Sequence, residues 1–244
     1  MLSEAGSWPR GYERIVLAET ASTMEEAARA VPVAGPTWIL ALRQTGGRGR
    51  RGRAWVMPEG NFAATLLMQT PEPPARRALR SFVAAIALRE AMVSVTGRED
   101  AFALKWPNDV LMNGGKVAGI LLEGLTQDHL AIGIGVNLVA APRPDEVEEG
   151  AVPPVALGAP TDPQAFLDTL AAPFARFEDQ FRTYGFAPIR TAWLSHAARL
   201  GEVITARTAR ESWRGTFVDM DETGALVLDT AKGRIAIAAA DVHF

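Results

Sequence analysis

The Asn113-Gly114 dipeptide, set between two short apolar runs, restricts this chain more than any other feature. Asn-Gly supplies the positive-φ pair that a two-residue hairpin turn demands, so Val110–Met112 and Lys116–Glu123 are expected to be antiparallel neighbours. Leu130–Leu138 (LAIGIGVNL) is a further strand, and Phe102–Trp106 precedes the hairpin, cut by Pro107. Proline holds Trp106 extended and cannot donate to a ladder. Strands chained through tight turns, with helices segregated between the groups, predict an α+β fold with a mixed, largely antiparallel sheet, not a doubly wound one.

The remaining elements fit that class. Arg14–Glu19, Thr37–Arg43 and Asn61–Gln69 read as strands. Ser22 with Glu25 makes a capping-box start for a short helix. Apolar residues at helical spacing predict a helix over Arg76–Thr96, stopped by Gly97. Residues 140–162 read as an irregular, Pro- and acid-rich excursion. Asp162-Pro163 then starts a helix that Gly185 stops, and a shorter one covers Ile189–Ala198. Beyond that lie only short strands (Glu202–Ala206, Ser212–Asp219, Ala225–Asp229, Gly233–Ala238), spaced as in a small barrel. Two domains are expected, 1–198 and 199–244.

Gly46–Trp55, GGRGRRGRAW, carries the chemistry. Arg48, Arg50, Arg51 and Arg53 alternate with glycines, and no acidic residue lies between Glu26 and Glu59. Glycine lets backbone approach a ligand closely, and each guanidinium offers a planar fork to phosphate or carboxylate. The loop repels itself, so it is expected to stay mobile until an anion arrives. A solvated basic loop or a nucleic-acid patch is the alternative. The net charge of −3 weakens the nucleic-acid option, which calls for a broadly basic face.

Only three of the 25 basic residues are lysines, and two of them sit in the other unusual segments. Lys105-Trp106-Pro107-Asn108-Asp109 reads either as a Trp-Pro corner or as a strand end that brings Lys105, Asn108 and Asp109 to face the arginine loop. Asn108 there offers a donor and an acceptor together, as recognition of a base edge requires. Lys116 lies in an apolar strand, where it either snorkels to solvent or meets a fixed anion. Strict alternation puts Lys116 with Ala118, Ile120 and Leu122, opposite Val117, Gly119 and Leu121. Gly133 and Gly135 leave one strand face bare, and Asn137 points the same way. With no cysteine, thiolate chemistry and disulfides are excluded. No apolar run reaches membrane-spanning length and no signal-like segment opens the chain, so a cytoplasmic location is expected.

Together and in this order, Ser22-Thr23, Gln44 with GRGRRGRAW, KWPNDV, GKVAGILLE, GIGVN and WRGTFVDMDETGALVL resemble the biotin protein ligases of the biotin/lipoate ligase superfamily. The resemblance covers almost the whole chain. It implies a class II synthetase-like catalytic fold followed by a small SH3-like β-barrel. It also implies two half-reactions: biotin and ATP give biotinyl-5′-AMP and pyrophosphate, and the acyl group then passes to a lysine on the carrier domain of a biotin-dependent carboxylase. By similarity Lys116, Arg50 and Arg48 are catalytic. Ser22, Thr23, Gln44, Gly47, Arg48, Arg50, Lys116, Gly119, Leu121, Gly133 and Gly135 form the biotin pocket. Arg50, Arg53, Trp55, Lys105, Asn108, Asp109 and Asn137 hold ATP, Trp55 by stacking on adenine and Asp109 through Mg²⁺ or by orienting a lysine. The resemblance names no metal ligand set, and a homodimer is compatible with it.

Met24 stands where the family usually has Asn, so that position carries no role over, and Gly46 replaces the usual Ala. Only about a dozen residues precede the first strand, which implies a ligase without the DNA-binding domain some members carry. The rivals are a lipoate ligase of the same superfamily, a nucleic-acid module built on the arginine loop, and a degenerate homologue that binds without transferring. The complete set of cations argues against the last.

Overall fold

The structure, a computed structural model, describes residues 8–147, 152–159, 161–208 and 210–243. Seven strands form the first sheet: β1 (Glu13–Leu17), β2 (Thr37–Ala41), β3 (Phe62–Gln69), β4 (Phe102–Lys105), β5 (Asp109–Met112), β6 (Gly115–Gly124) and β7 (His129–Val136). Their order is β1-β2-β3-β7-β6-β5-β4. β4 to β7 follow one another as antiparallel neighbours, as the turn at Asn113 (φ 50°) and Gly114 (φ 83°) requires. The β1–β2 pair is parallel, which makes the sheet mixed.

Alternation sorts the sheet into two faces. Trp38, Leu40, Leu66, Ile132, Ile134 and Val136 join the main core, whereas Ile39, Leu67 and Ala131 pack on the other face. The first face is covered by α3 (Arg80–Thr96) and α4 (Pro163–Tyr184). α3 is buried along most of its length from Phe82 to Met92, because α4 and α5 (Phe186–Leu194) cover it in turn. Each fully buried large side chain here contributes roughly 1.5–3 kcal/mol. The second face carries α1 (Thr23–Ala30), through Ala27, and β7 continues past it as Gly133 and Gly135.

Two local expectations need correcting. Ser22 is the N-cap of α1, but its side chain makes no capping bond. Glu25 is drawn instead to Arg29 (3.4 Å) and Arg48 (3.9 Å), so the capping box does not form. The helix expected over Arg76–Thr96 is two: α2 (Pro74–Ala78) and α3, broken where Leu79 N bonds Arg76 O in a tighter turn. Asp162 behaves as expected, its Oδ1 accepting from Gln164 N (2.8 Å) and Ala165 N (2.9 Å).

The C-terminal strands β8 (Val203–Arg207), β9 (Ser212–Met220), β10 (Leu226–Thr230), β11 (Gly233–Ile237) and β12 (Asp241–His243) form a separate antiparallel sheet of order β11-β10-β9-β8-β12. β12, three residues long, was not anticipated. The sheet docks through the buried Trp106 Nε1, which donates to Gly224 O at 2.9 Å, and through Arg190, which donates to Met220 O and to the Asp219 carboxylate. Gly224 is required at this contact: its φ is +82° and an added Cβ would lie 2.7 Å from the Phe82 ring. No helix among the described residues is long and apolar enough to cross a membrane.

Candidate active site

A cleft of about 900 Å³ opens over the bare half of the second sheet face. Its floor is the β6–β7 pair, where Gly119 lies opposite Gly135 and Leu121 opposite Gly133. Met24 and Trp55 lie on these glycines. A Cβ on Gly133 would come within 2.8 Å of the Met24 sulfur, and one on Gly135 within 2.5 Å of Trp55 Nε1.

Lys116 reaches this floor through an irregularity that strict alternation misses. Leu111 pairs with Lys116 and Val110 with Ala118, so Val117 is an extra residue, a β-bulge. Val117 and Ala118 both enter the core, and the side chain of Lys116 turns to the face of Gly119. An added Cβ on Gly119 would lie 3.5 Å from the Lys116 ammonium. The expected grouping of Lys116 with Ala118, Ile120 and Leu122 is therefore wrong on this point. Its Nζ lies 2.8 Å from Asp109 Oδ1, off the direction of an aligned hydrogen bond, and 5.7 Å from the centre of the Trp55 ring.

One end of the cleft is neutral and polar. Gln44 Oε1 accepts from Thr23 N (2.9 Å) and Thr23 Oγ1 (3.1 Å), and Thr65 Oγ1 donates to Thr23 Oγ1 at 2.8 Å. Gly47 braces this corner from below: an added Cβ would strike Gln44 Nε2 at 2.5 Å and Trp55 O at 2.9 Å. The other end is cationic. Arg48, Arg50, Arg51, Arg53, Lys105, Lys116 and Arg199 line the cleft, against Asp109, Glu146 and Asp241 among the described residues. Burial pushes the Lys105 ammonium below its usual value, with Asp109 pulling the other way. Burial also lowers Arg50, and Asp241 opposes it.

The arginine segment is folded rather than open. Gly49 N donates to Arg53 O (2.7 Å), Trp55 N donates to Gly47 O (2.9 Å), and Arg51 takes a left-handed φ of 59° at its tip. The anion it was expected to wait for comes from within the chain. Asp241 on β12 accepts from Arg51 and from Arg53 Nη2 (3.1 Å) and lies 3.7 Å from Arg50 Nη1. Asn108 is likewise engaged, donating to Ile120 O (2.6 Å) and accepting from Arg50 Nη1 (3.3 Å). Asn137 donates to Val155 O, while its buried Oδ1 has no partner.

Of the residues singled out from the sequence, all but Gly47 line the cleft; Gly47 shapes it from behind. Sequence reasoning missed Met24, Asp241 and the wall formed by Val152, Pro153 and Pro154. That wall belongs to the irregular excursion and is held by Lys116 N donating to Pro153 O (2.8 Å) and Leu157 N to Asn137 O (2.7 Å). Nothing in the local pattern around Asp241 marks it, since its role depends on where β12 lies.

Comparison with known proteins gives one consistent family. Residues 14–137 match the biotin/lipoate A/B protein ligase family, and residues 200–244 match the biotin protein ligase C terminal domain. A biotin–[acetyl-CoA-carboxylase] ligase of Paracoccus denitrificans is 52% identical over 94% of this chain and 99% of its own length. The bifunctional ligase/repressor BirA of Bacillus subtilis is 32% identical over 93% of this chain and 72% of its own. The biotin protein ligase from Aquifex aeolicus in complex with biotin and ATP superposes with a TM-score of 0.83 at 28% identity, covering 94% of this chain and 97% of that one.

Proposed function

The chain belongs to the biotin/lipoate A/B protein ligase family, and on that premise we propose that it is a biotin protein ligase. It activates biotin with ATP and transfers it to a lysine on the carrier domain of acetyl-CoA carboxylase. The observation that carries this reading is the Lys116 ammonium, turned by the Val117 bulge onto a glycine-bared floor between a neutral polar corner and a cluster of arginines.

The chemistry follows from charge. The biotin carboxylate attacks the α-phosphate of ATP, the bond to the β-phosphate oxygen breaks, and pyrophosphate leaves. Two anions must meet, so catalysis rests on placement and cationic stabilisation rather than on a protein nucleophile. Lys116 touches both the carboxylate and the α-phosphate, and Asp109 orients it. Arg48, Arg50 and Arg53 take the phosphate charge. Ser22, Thr23 and Gln44 present donors and acceptors suited to the ureido ring, Gly47 keeps that corner open, and Gly119, Leu121, Gly133 and Gly135 admit the bicycle. Trp55 stacks on adenine, the unpartnered Asn137 Oδ1 suits its amino group, and Lys105 and Asn108 complete the ATP side. In the second step the carrier lysine amine attacks the acyl carbon, AMP departs and the amine loses a proton.

Asp109 fits a Mg²⁺ ion that arrives with the nucleotide, because its buried Oδ1 has no aligned hydrogen-bond donor. No group of three acidic or histidine side chains placed to hold a metal ion is found among the described residues. Such an ion would therefore depend on the phosphates, as Mg²⁺ commonly does, and would neutralise their charge. We divide the chain functionally at 198/199, between α5 and β8, with the catalytic unit first.

Incubation with biotin, MgATP and a carrier domain should add one biotin to the carrier by intact mass, and lipoate in place of biotin should add nothing. No adduct and no pyrophosphate would overturn the assignment. Arg50→Gly should still form the adenylate but lose it to solution, read as biotin on bystander lysines. Gly135→Ala should displace Trp55 and weaken biotin binding by calorimetry, overpacking of about 1–3 kcal/mol corresponding to roughly 5- to 150-fold.

A further inference from the structure

Three of the four loop arginines converge on a single carboxylate outside the catalytic sheet. Asp241 sits on β12, an edge strand that pairs with β8. Its side chain is 20% exposed and accepts from Arg51 and Arg53, with Arg50 Nη1 3.7 Å away. The neighbouring backbone contributes as well, Ala240 O accepting from Arg50 Nη2 at 3.5 Å. Among the described residues, the acidic side chains lining the cleft are Asp241, Asp109 and Glu146, and Asp109 is committed to Lys116.

A run of guanidinium groups in one short loop repels itself, so whichever anion it meets will order it. Here a fixed carboxylate fills that role, and two of the arginines it holds, Arg50 and Arg53, are ones the ligase reading gives to the phosphates. We propose that Asp241 is a positioning residue that stands in for nucleotide phosphate: it clasps the arginine loop to the C-terminal sheet and is displaced when ATP enters. The proposal rests on the ligase reading above. Its consequence is quantitative. A protein that must leave a clasped state before binding shows an affinity reduced by the fraction of unclasped molecules. The clasp thus raises the apparent KM for ATP.

Asp241→Asn keeps the shape and removes the charge. It should lower the KM for ATP by about three- to tenfold with no matching rise in kcat. Asp241→Glu should restore the wild-type KM. Trypsin, which cleaves after arginine, gives a second reading. Without nucleotide the Asn variant should be cut faster within residues 48–53 than wild type, and saturating ATP should bring both to the same slow rate. If the Asn variant melts early, Asp241→Ser on the same edge strand replaces it in both assays.

A KM for ATP that is unchanged or raised in these folded variants would mean that Asp241 only braces the loop, and would overturn the proposal. Equal trypsin rates without nucleotide would do the same. Failure of the wild type to release pyrophosphate with biotin and ATP would instead overturn the ligase reading, so the two failures are distinguishable.

Discussion

Lys116→Ala is expected to slow pyrophosphate release from biotin and MgATP by at least two to three orders of magnitude, the usual cost of losing one preorganised stabilising group. The effect is large because the deletion does more than remove a positive charge. Asp109 loses its partner at 2.8 Å and faces two further anions with the charges of Lys105 and Arg50 left to offset it. Lys116→Arg should rescue poorly, since the ammonium fits as a compact charge between the Trp55 ring and Gly119, where a planar fork is too broad. The thermal midpoint should move little, because the side chain is about one-third exposed and lies outside the core. Wild-type-like adenylation by the alanine variant would remove Lys116 from the mechanism.

Glu178→Ala should be strongly destabilising. Arg80 and Glu178 are each 2% exposed, and they join α3 to α4. Arg80 Nε lies 3.1 Å from both Glu178 oxygens and Nη2 2.8 Å from Oε1, while Nη1 donates to Glu72 at 2.6 Å. Burial works against the Arg80 charge, but Glu178 and Glu72 outweigh it and hold the guanidinium above its usual pKa. Removing one member of a buried pair costs about 3–5 kcal/mol, because the other is left charged in a dry site. Glu72 remains, so a loss of about 3 kcal/mol is expected, lowering the thermal midpoint by roughly 6–12 °C in a chain of this size. The double variant Arg80→Met/Glu178→Leu should melt near wild type, since no fully buried charge is orphaned and the partly exposed Glu72 keeps Arg76 at 3.1 Å. Equal midpoints for wild type and Glu178→Ala would show that the pair is not holding the helices together.

The fold class was legible because its signals are local. A turn such as Asn113-Gly114 needs positive φ at both residues whatever surrounds it, and Asp162-Pro163 and Gly185 mark helix ends by the same kind of backbone constraint. The glycine strip was legible for a similar reason: a period of two places Gly133 and Gly135 on one face without knowledge of the neighbours. The capping box at Ser22 failed because other partners outcompeted the cap, Glu25 turning to Arg29, one turn on in the same helix, and to Arg48 in the arginine loop. The break at Leu79 was likewise invisible to a pattern of apolar residues that runs straight through it.

The sequence alone thus determined which residues carry the charge, which leave backbone bare and which strands are neighbours, since composition and backbone conformation are properties of short segments. Only the tertiary structure decided where those groups point and what they meet. The extra residue at Val117 reverses the parity of its strand and brings Lys116 to the glycine floor, and its position is fixed by pairing with β5. Asp241 meets Arg51 although 190 positions separate them, because docking of the C-terminal sheet places β12 beside the arginine loop. Contacts at that separation depend on packing between elements, and packing has no local code.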